Sequence, residues 1–171
     1  MYRETFCKNC GTRLTEKFLE NEGNIPYCET CGEFRFPSFN TAVSMVVRHP
    51  EKPELLLIQQ YGRPHFILTA GYVNQGESAE NAVHREVSEE LGAKAVSIQF
   101  NQSQYFEPSN TLMLNFSCVL ESAELHPNQE IDSYQWFDYQ SALEHIKPES
   151  LAKKFLTAWL EKQEDFTWKS E

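Results

Sequence analysis

Gly71-Tyr-Val-Asn-Gln-Gly-Glu-Ser-Ala-Glu-Asn-Ala-Val-His-Arg-Glu-Val-Ser-Glu-Glu-Leu-Gly-Ala93 is the stretch from which the rest of the chain can be read. Ser78 to Leu91 predicts a helix: Ser78 suits the N-cap, Glu80 falls in the first turn and Gly92 stops it. Val83, Val87 and Leu91 recur every four residues and make a buried stripe. At 100° per residue, Glu86, Glu89 and Glu90 share an arc of about 100°. Arg85 stands one turn before Glu89, at ion-pair spacing. Ala79 and Ala82 lie on the same arc and leave room beside the carboxylates. At about 5 Å and an effective dielectric of 20, each pair of like charges repels by roughly 3 kcal/mol. Hard divalent cations with oxygen ligands are natural counter-ions for such a set. A solvated acidic face is the plain alternative. Against it, the carboxylates border the apolar stripe, and the helix follows a loop with Gly71 and Gly76 that leaves a strand.

The chain of 171 residues carries 15 basic and 25 acidic side chains, a formal charge of −10, which argues against charge-driven binding to nucleic acid or anionic membranes. Its 40% hydrophobic content is too high for a disordered chain, and the length suits one domain, or one domain with a small appendage. No apolar run is long enough for a membrane-spanning helix. The opening ten residues have no apolar core, so they do not read as a secretory signal, and a soluble, cytoplasmic protein is expected.

The second constellation is Cys7-Lys-Asn-Cys10, then 17 intervening residues, then Cys28-Glu-Thr-Cys31. This spacing predicts a zinc ribbon, two knuckles presenting four thiolates to one tetrahedral Zn²⁺. Gly11 and Gly32 follow the two pairs and suit tight knuckle turns. Disulfides would need an oxidising compartment, and a redox Cys-x-x-Cys normally occurs singly near a βαβ pattern. Residues 1–40 hold five basic and six acidic side chains, a poor footprint for polyphosphate, so a structural role is expected. Cys118, inside the apolar run Leu114–Leu120, reads as a core residue.

Elsewhere, Ala42–Val47 and Leu55–Ile58 predict a hairpin, and Phe66–Ala70 a third strand. Further strands are expected at Ala95–Phe100, Leu112–Leu120 and Ser133–Phe137, and helices at Ser141–Ile146 and Glu149–Lys162. Leu151, Phe155, Ala158 and Trp159 form one face of the last helix, read as core packing. The order implies a mixed sheet layered between helices, an α/β/α arrangement.

The quoted stretch resembles the Nudix box, G-x5-E-x7-R-E-U-x-E-E-x-G-U with U apolar, at Gly71, Glu77, Arg85, Glu86, Glu89, Glu90 and Gly92; Val87 and Ala93 take the U places. The resemblance implies the Nudix fold and metal-dependent hydrolysis of a nucleoside diphosphate linked to a second group. Residues 1–38 are then a zinc ribbon and 39–171 the Nudix domain. A ribbon directly before such a domain resembles the NADH pyrophosphatase branch of the family. That branch has a second motif, S-Q-P-W-P-F-P-x-S, which Ser103, Gln104, Phe106 and Thr111 partly match. Tyr105, Glu107, Pro108 and Ser109 depart from it, as Asn74 departs from the acidic residue many relatives carry. Phe36-Pro37 resembles the aromatic-proline junction after the ribbon.

By this likeness Glu86 and Glu90 are ligands for Mg²⁺ or Mn²⁺. Glu130, from the match of Glu130-Ile-Asp-Ser-Tyr-Gln-Trp-Phe137 to E-x5-W-F, is a third, and the Ala70 carbonyl completes the shell. Glu89 is the candidate general base, with Glu130 its competitor. Arg85 orients a box carboxylate, and Glu77 supports the loop–helix junction. Gly71, Phe36, Gln104, Tyr105, Phe106 and Thr111 are the expected substrate contacts. The leading expectation is cleavage of NADH or NAD⁺ to AMP and a mononucleotide, by a homodimer. ADP-ribose, FAD and a NAD-capped RNA end are sibling substrates. A nucleotide-sensing binder without turnover is the alternative from another class, disfavoured by the intact box carboxylates. His84 reads as a surface residue and Trp136 as core.

Overall fold

The computed structural model describes residues 4–167. Two compact units are present, one running to Phe39 and including Glu107–Asn110, the other holding Asn40–Phe106 and the described chain from Thr111 onward.

The first unit is a small antiparallel sheet of β1 (Thr15–Leu19), β2 (Gly23–Cys28) and β3 (Glu33–Phe34), in that order. Each cysteine pair closes a knuckle in which the following glycine returns its N–H to the first cysteine's carbonyl. Gly11 reaches Cys7 O at 2.8 Å and Gly32 reaches Cys28 O at 2.9 Å. Among the described residues of this unit, Cys7 and Cys28 are the only residues buried as a whole. A unit with so little apolar interior depends on something other than a core.

The second unit is built on a mixed sheet of β4 (Asn40–Arg48), β5 (Glu54–Gln60), β6 (Thr69–Tyr72), β7 (Ala95–Phe106), β8 (Thr111–Leu120) and β9 (Ile131–Asp138). The order is β7-β8-β4-β5-β9, with β6 also paired to β4. β4 runs parallel to β8 from Asn40↔Thr111 to Arg48↔Val119. β4 and β5 form the expected hairpin but share a register pair only at Arg48↔Leu55. The strands then part, and β6 takes Ala42–Met45.

Alternation along the strands sends side chains to two separate cores. Val43, Met45, Val47, Leu56 and Ile58 pack with Val83, Val87 and Leu91 of α1 (Ala79–Leu91). Val46, Leu55 and Leu57 face α2 (Tyr139–His145) and α3 (Leu151–Thr167), through Ala142, Phe155, Leu156, Trp159 and Leu160. Each fully buried Val or Leu contributes about 1.5–3 kcal/mol, so α1 is held by its stripe and not by propensity. The layering is α/β/α, as expected.

Some details differ from the sequence reading. β7 extends through Phe106 and not to Phe100, because β8 offers it a partner along its whole length. The polar run from Asn101 to Gln104 does not advertise a strand. Of Phe66–Ala70 only Thr69 and Ala70 fall in a regular strand, while Ile67 and Phe66 make isolated bridges to Ile58 and Ile146. On α3 the core face is Phe155, Leu156, Trp159 and Leu160. Leu151 only flanks it, and Ala158 instead lines a surface groove with Lys154 and Glu161. Cys118 is 1% exposed, and its thiol is pushed up to about 12 by burial, as befits a core residue. Trp136 packs against the α1-side core, edge-on to His49 at 5.0 Å. Among the described residues no helix is long and apolar enough to cross a membrane.

Candidate active site

The site is organised by α1. Ser78 caps it, its hydroxyl accepting from Asn81 N at 3.1 Å, and Gly92 ends it in the left-handed region at φ +58°. Gly92 has a second constraint: a Cβ there would meet the His126 backbone. With Val83, Val87 and Leu91 fully buried, Glu86 and Glu90 are carried to the seam between helix and sheet, only 8% and 6% exposed.

Arg85 ties the loop to the helix. Its Nε and Nη2 donate to the two oxygens of Glu77, both at 2.9 Å. Nη2 also reaches Tyr72 O at 2.8 Å, and Nη1 reaches Glu86 Oε1 at 2.7 Å and Glu89 Oε2 at 3.0 Å. Glu77 in turn accepts from Asn74 N at 3.0 Å, and the arginine holds its carboxyl below the usual carboxylate range. Part of the repulsion among the box carboxylates is therefore relieved within the protein, since Glu86 and Glu89 each share this guanidinium.

Glu90 is the exception. Its Oε2 is buried without a hydrogen-bond partner. Burial, and then the charges of Glu86 and Glu130, push its carboxyl up to about 7. Glu130 is brought close by the segment before β9, which docks on the end of α1. His126 N donates to Leu91 O and Asn128 N to Glu90 O, both at 2.9 Å, and Asn128 Oδ1 accepts from Glu130 N at 2.9 Å. The Glu130 carboxylate accepts from Tyr61 Oη at 2.8 Å. Tyr61, Asn128 and His126 carry no chemical motif in the sequence; only the Tyr61-Gly62 pair before Arg63-Pro64 bears a signal, that of a turn.

Gly71 lies against Glu86 so closely that a Cβ would overlap the carboxylate. Ala70 precedes it in β6, paired with Ser44 of β4. Gly71→Ala is expected to lower turnover about 10–100-fold by displacing Glu86, with little change in melting temperature because a flexible carboxylate can swing aside. Steady-state kinetics beside a thermal melt check this, and unchanged turnover would refute it.

These groups fit a divalent cation: oxygen donors, excess negative charge and a buried, unpartnered oxygen on a carboxylate that feels the charges of two others. Among the described residues, however, the cysteines are the one His/Cys/Asp/Glu group with all ligand atoms within 4.8 Å of one another. The carboxylates do not form such a group. Glu89 is more exposed and held by Arg85.

The expected substrate contacts fall in two places. Gln104, Tyr105 and Phe106 end β7, and Phe106 pairs with Thr111, which pairs with Asn40 at the start of β4. β6 leaves the sheet at Tyr72, opposite Ala42, so the box loop and this strip share one end of the sheet. Tyr105 and Phe106 are exposed, whereas Thr111 is buried at 1%. Phe36 is exposed and belongs to the first unit. His84 is exposed on α1, as expected.

In the first unit Cys7 and Cys31 Sγ are 3.9 Å apart, and Cys10 lies 3.5 Å from both Cys28 and Cys31. All are free thiols, well beyond disulfide length. Arg35 Nε donates to Cys7 Sγ at 3.4 Å and pulls that thiol down to about 6. Cys31, crowded by the Cys10 and Cys28 sulfurs, is pushed up to about 12. Four sulfur donors in this arrangement suit tetrahedral zinc.

The chain is 31% identical over 161 residues to a NAD-capped RNA hydrolase NudC of Pseudomonas aeruginosa, covering 91% of this chain and 55% of that protein. A protein of the same description from Chromobacterium violaceum is 31% identical over 157 residues, covering 88% and 56%. The chain thus spans about half the length of these relatives. In fold it is similar to a NUDIX hydrolase from Nitrosomonas europaea, with a TM-score of 0.67 at 18% identity over 95% of this chain and 93% of that one. A family model described as NUDIX domain matches residues 38–160, which takes in the carboxylate helix, its loop and the segment bearing Glu130, and the chain belongs to the Nudix family.

Proposed function

We propose that this chain hydrolyses the pyrophosphate bond of a nucleoside diphosphate derivative of the NAD type, releasing AMP and a mononucleotide from NADH or NAD⁺. The observation that carries this reading is the buried Glu86–Glu90 pair facing Glu130, with one Glu90 oxygen unpartnered. Glu86, Glu90, Glu130 and the Ala70 carbonyl are the groups that would hold Mg²⁺ or Mn²⁺, which when bound neutralises phosphoryl oxygens and lowers the pKa of a water. Arg85 keeps Glu77, Glu86 and Glu89 in fixed relation and anchors the loop through Tyr72 O. Glu89, exposed at the edge of the cluster, is the group that takes the proton from the attacking water, with Glu130 the competitor. Gly71 leaves the Glu86 carboxylate its room. Gln104, Tyr105 and Phe106 bind the nucleotide; exposed aromatic rings such as Tyr105 and Phe106 suit stacking on a base.

We assign residues 1–38 to a ribbon on one structural Zn²⁺ held by Cys7, Cys10, Cys28 and Cys31, and 39–171 to the hydrolase domain, residues 1–3 and 168–171 lying outside the described residues. The setting is the cytoplasm, where such thiols stay reduced, and the enzyme is a homodimer by likeness to the NADH pyrophosphatase branch. The second reading, a NAD-capped RNA end, is favoured by the described activity of the relatives at 31% identity. The charge of −10 weighs against long contacts along an RNA chain.

A substrate panel of NADH, NAD⁺, ADP-ribose, FAD, diadenosine polyphosphates and a NAD-capped oligoribonucleotide, with products resolved by chromatography, tests the reading. AMP and nicotinamide mononucleotide are expected, abolished by EDTA and restored by Mg²⁺ or Mn²⁺. No cleavage of any of these under Mn²⁺ would leave the nucleotide-binding alternative in its place.

A further inference from the structure

The turn joining β5 to the segment before β6 is unlike an ordinary exposed loop. Arg63 N donates to Gln60 O at 3.1 Å, and the two residues between them both have positive φ, +56° at Tyr61 and +66° at Gly62. Glycine takes that conformation freely, but a residue with an aromatic side chain rarely does. Packing does not explain the exception, because Tyr61 is 67% exposed.

What holds the turn is the start of β9 and the residue just before it. Tyr61 Oη donates to Glu130 Oε2 at 2.8 Å and Gly62 N donates to Asp132 Oδ2 at 2.6 Å. Gln59 accepts from Ser133 Oγ and donates from Nε2 to Pro64 O at 2.7 Å. The β5–β9 register slips here: Gln59 faces Ser133 but Gln60 faces Ile131, so Asp132 is the extra residue of a bulge. Bulges of this kind re-aim side chains beside functional sites.

We propose that Tyr61 is a positioning residue, its hydroxyl fixed by this clamp so that it presents the Glu130 carboxylate to a divalent cation shared with Glu86 and Glu90. The proposal rests on reading Glu130 as a ligand. Tyr61 occupies Oε2 and leaves Oε1 to the cation. Glu130 is otherwise exposed, and an unrestrained glutamate would lose rotamer freedom on binding. Tyr61 removes that loss in advance.

The test is Mn²⁺ binding without substrate, by electron paramagnetic resonance of the free ion, on wild type, Tyr61→Phe, Glu130→Gln and the double variant. Tyr61→Phe is expected to weaken Mn²⁺ binding about tenfold and to raise the Mn²⁺ concentration for half-maximal turnover in step, the loss lying in metal affinity and not in kcat at saturating Mn²⁺. In the double variant the tyrosine change should add nothing to Glu130→Gln, because it acts only through that carboxylate. If Glu130→Gln itself binds Mn²⁺ like wild type, the ligand reading falls and takes the proposal with it. If Glu130→Gln weakens binding and Tyr61→Phe does not, the proposal alone is overturned.

Discussion

Replacing Glu90 by glutamine is expected to lower turnover by more than about 100-fold, since even outer partners of metal ligands cost 10–100-fold. At the same time the metal-free chain should become harder to unfold above neutral pH. Glutamine keeps the volume and removes the charge. In the wild type without metal, the folded state holds the Glu90 proton up to about 7, through burial and the charges of Glu86 and Glu130, against an ordinary value of 4.5. The folded chain then binds more protons than the unfolded one between those values. The stabilising contribution of the neutral carboxyl is thus complete below 4.5 and is lost as pH rises through 7. Glu90→Gln flattens that fall. For a chain of this size each kcal/mol of relief raises the melting temperature by about 2–4 °C. Melts of the zinc-loaded chain without added Mg²⁺ or Mn²⁺, from pH 5 to 8, check the slope. In the same series Mn²⁺ should raise the wild-type midpoint and leave the variant unmoved. A variant with wild-type turnover, or one keeping the wild-type slope, would remove Glu90 from the site.

Cys28→Ser is expected to abolish tight zinc binding, from about one ion per chain to none, and to unfold the first unit. Cys28 is fully buried, its sulfur 3.5 Å from that of Cys10 and 3.4 Å from the Cys31 amide. Cys7 and Cys28 are the only apolar residues this unit buries among the described residues. Binding of structural zinc supplies about 10–16 kcal/mol in small ribbons and fingers, far beyond what one Tyr27–Phe34 edge contact and a three-stranded sheet contribute. The second unit has two cores of its own and should keep its transition. Elemental analysis after dialysis reads the metal, and amide exchange over β1 and β2 reads the fold. Protection persisting in those strands without zinc would show that the sheet stands without its metal.

Tyr61 and Glu90 also mark the limit of what can be read from residues in order. The cap at Ser78, the stop at Gly92, the stripe Val83–Val87–Leu91 and both cysteine pairs were legible because each is a relation within a turn or a fixed short spacing. Glu86 and Glu90 at the seam followed from helical periodicity, and their burial agrees with it. The far end of β7 was not legible, since a polar strand shows itself only through its partner β8. Nor was the true core face of α3, where Leu156 and Leu160 displace Ala158 from the interior. There the sheet, and not the helix, chooses which side is covered.

By itself the order of residues determined the carboxylate helix, the metal-ready thiols and the layered class of fold, because local spacing and alternation settle those before any distant contact forms. Only the tertiary structure decided which carboxylate is left uncompensated. Arg85 reaches Glu77, Glu86 and Glu89 but not Glu90, and Glu130 arrives beside Glu90 through backbone bonds from a segment nearly forty positions away in the chain. Charge compensation depends on which groups stand within a few ångströms, and chain order does not record that distance.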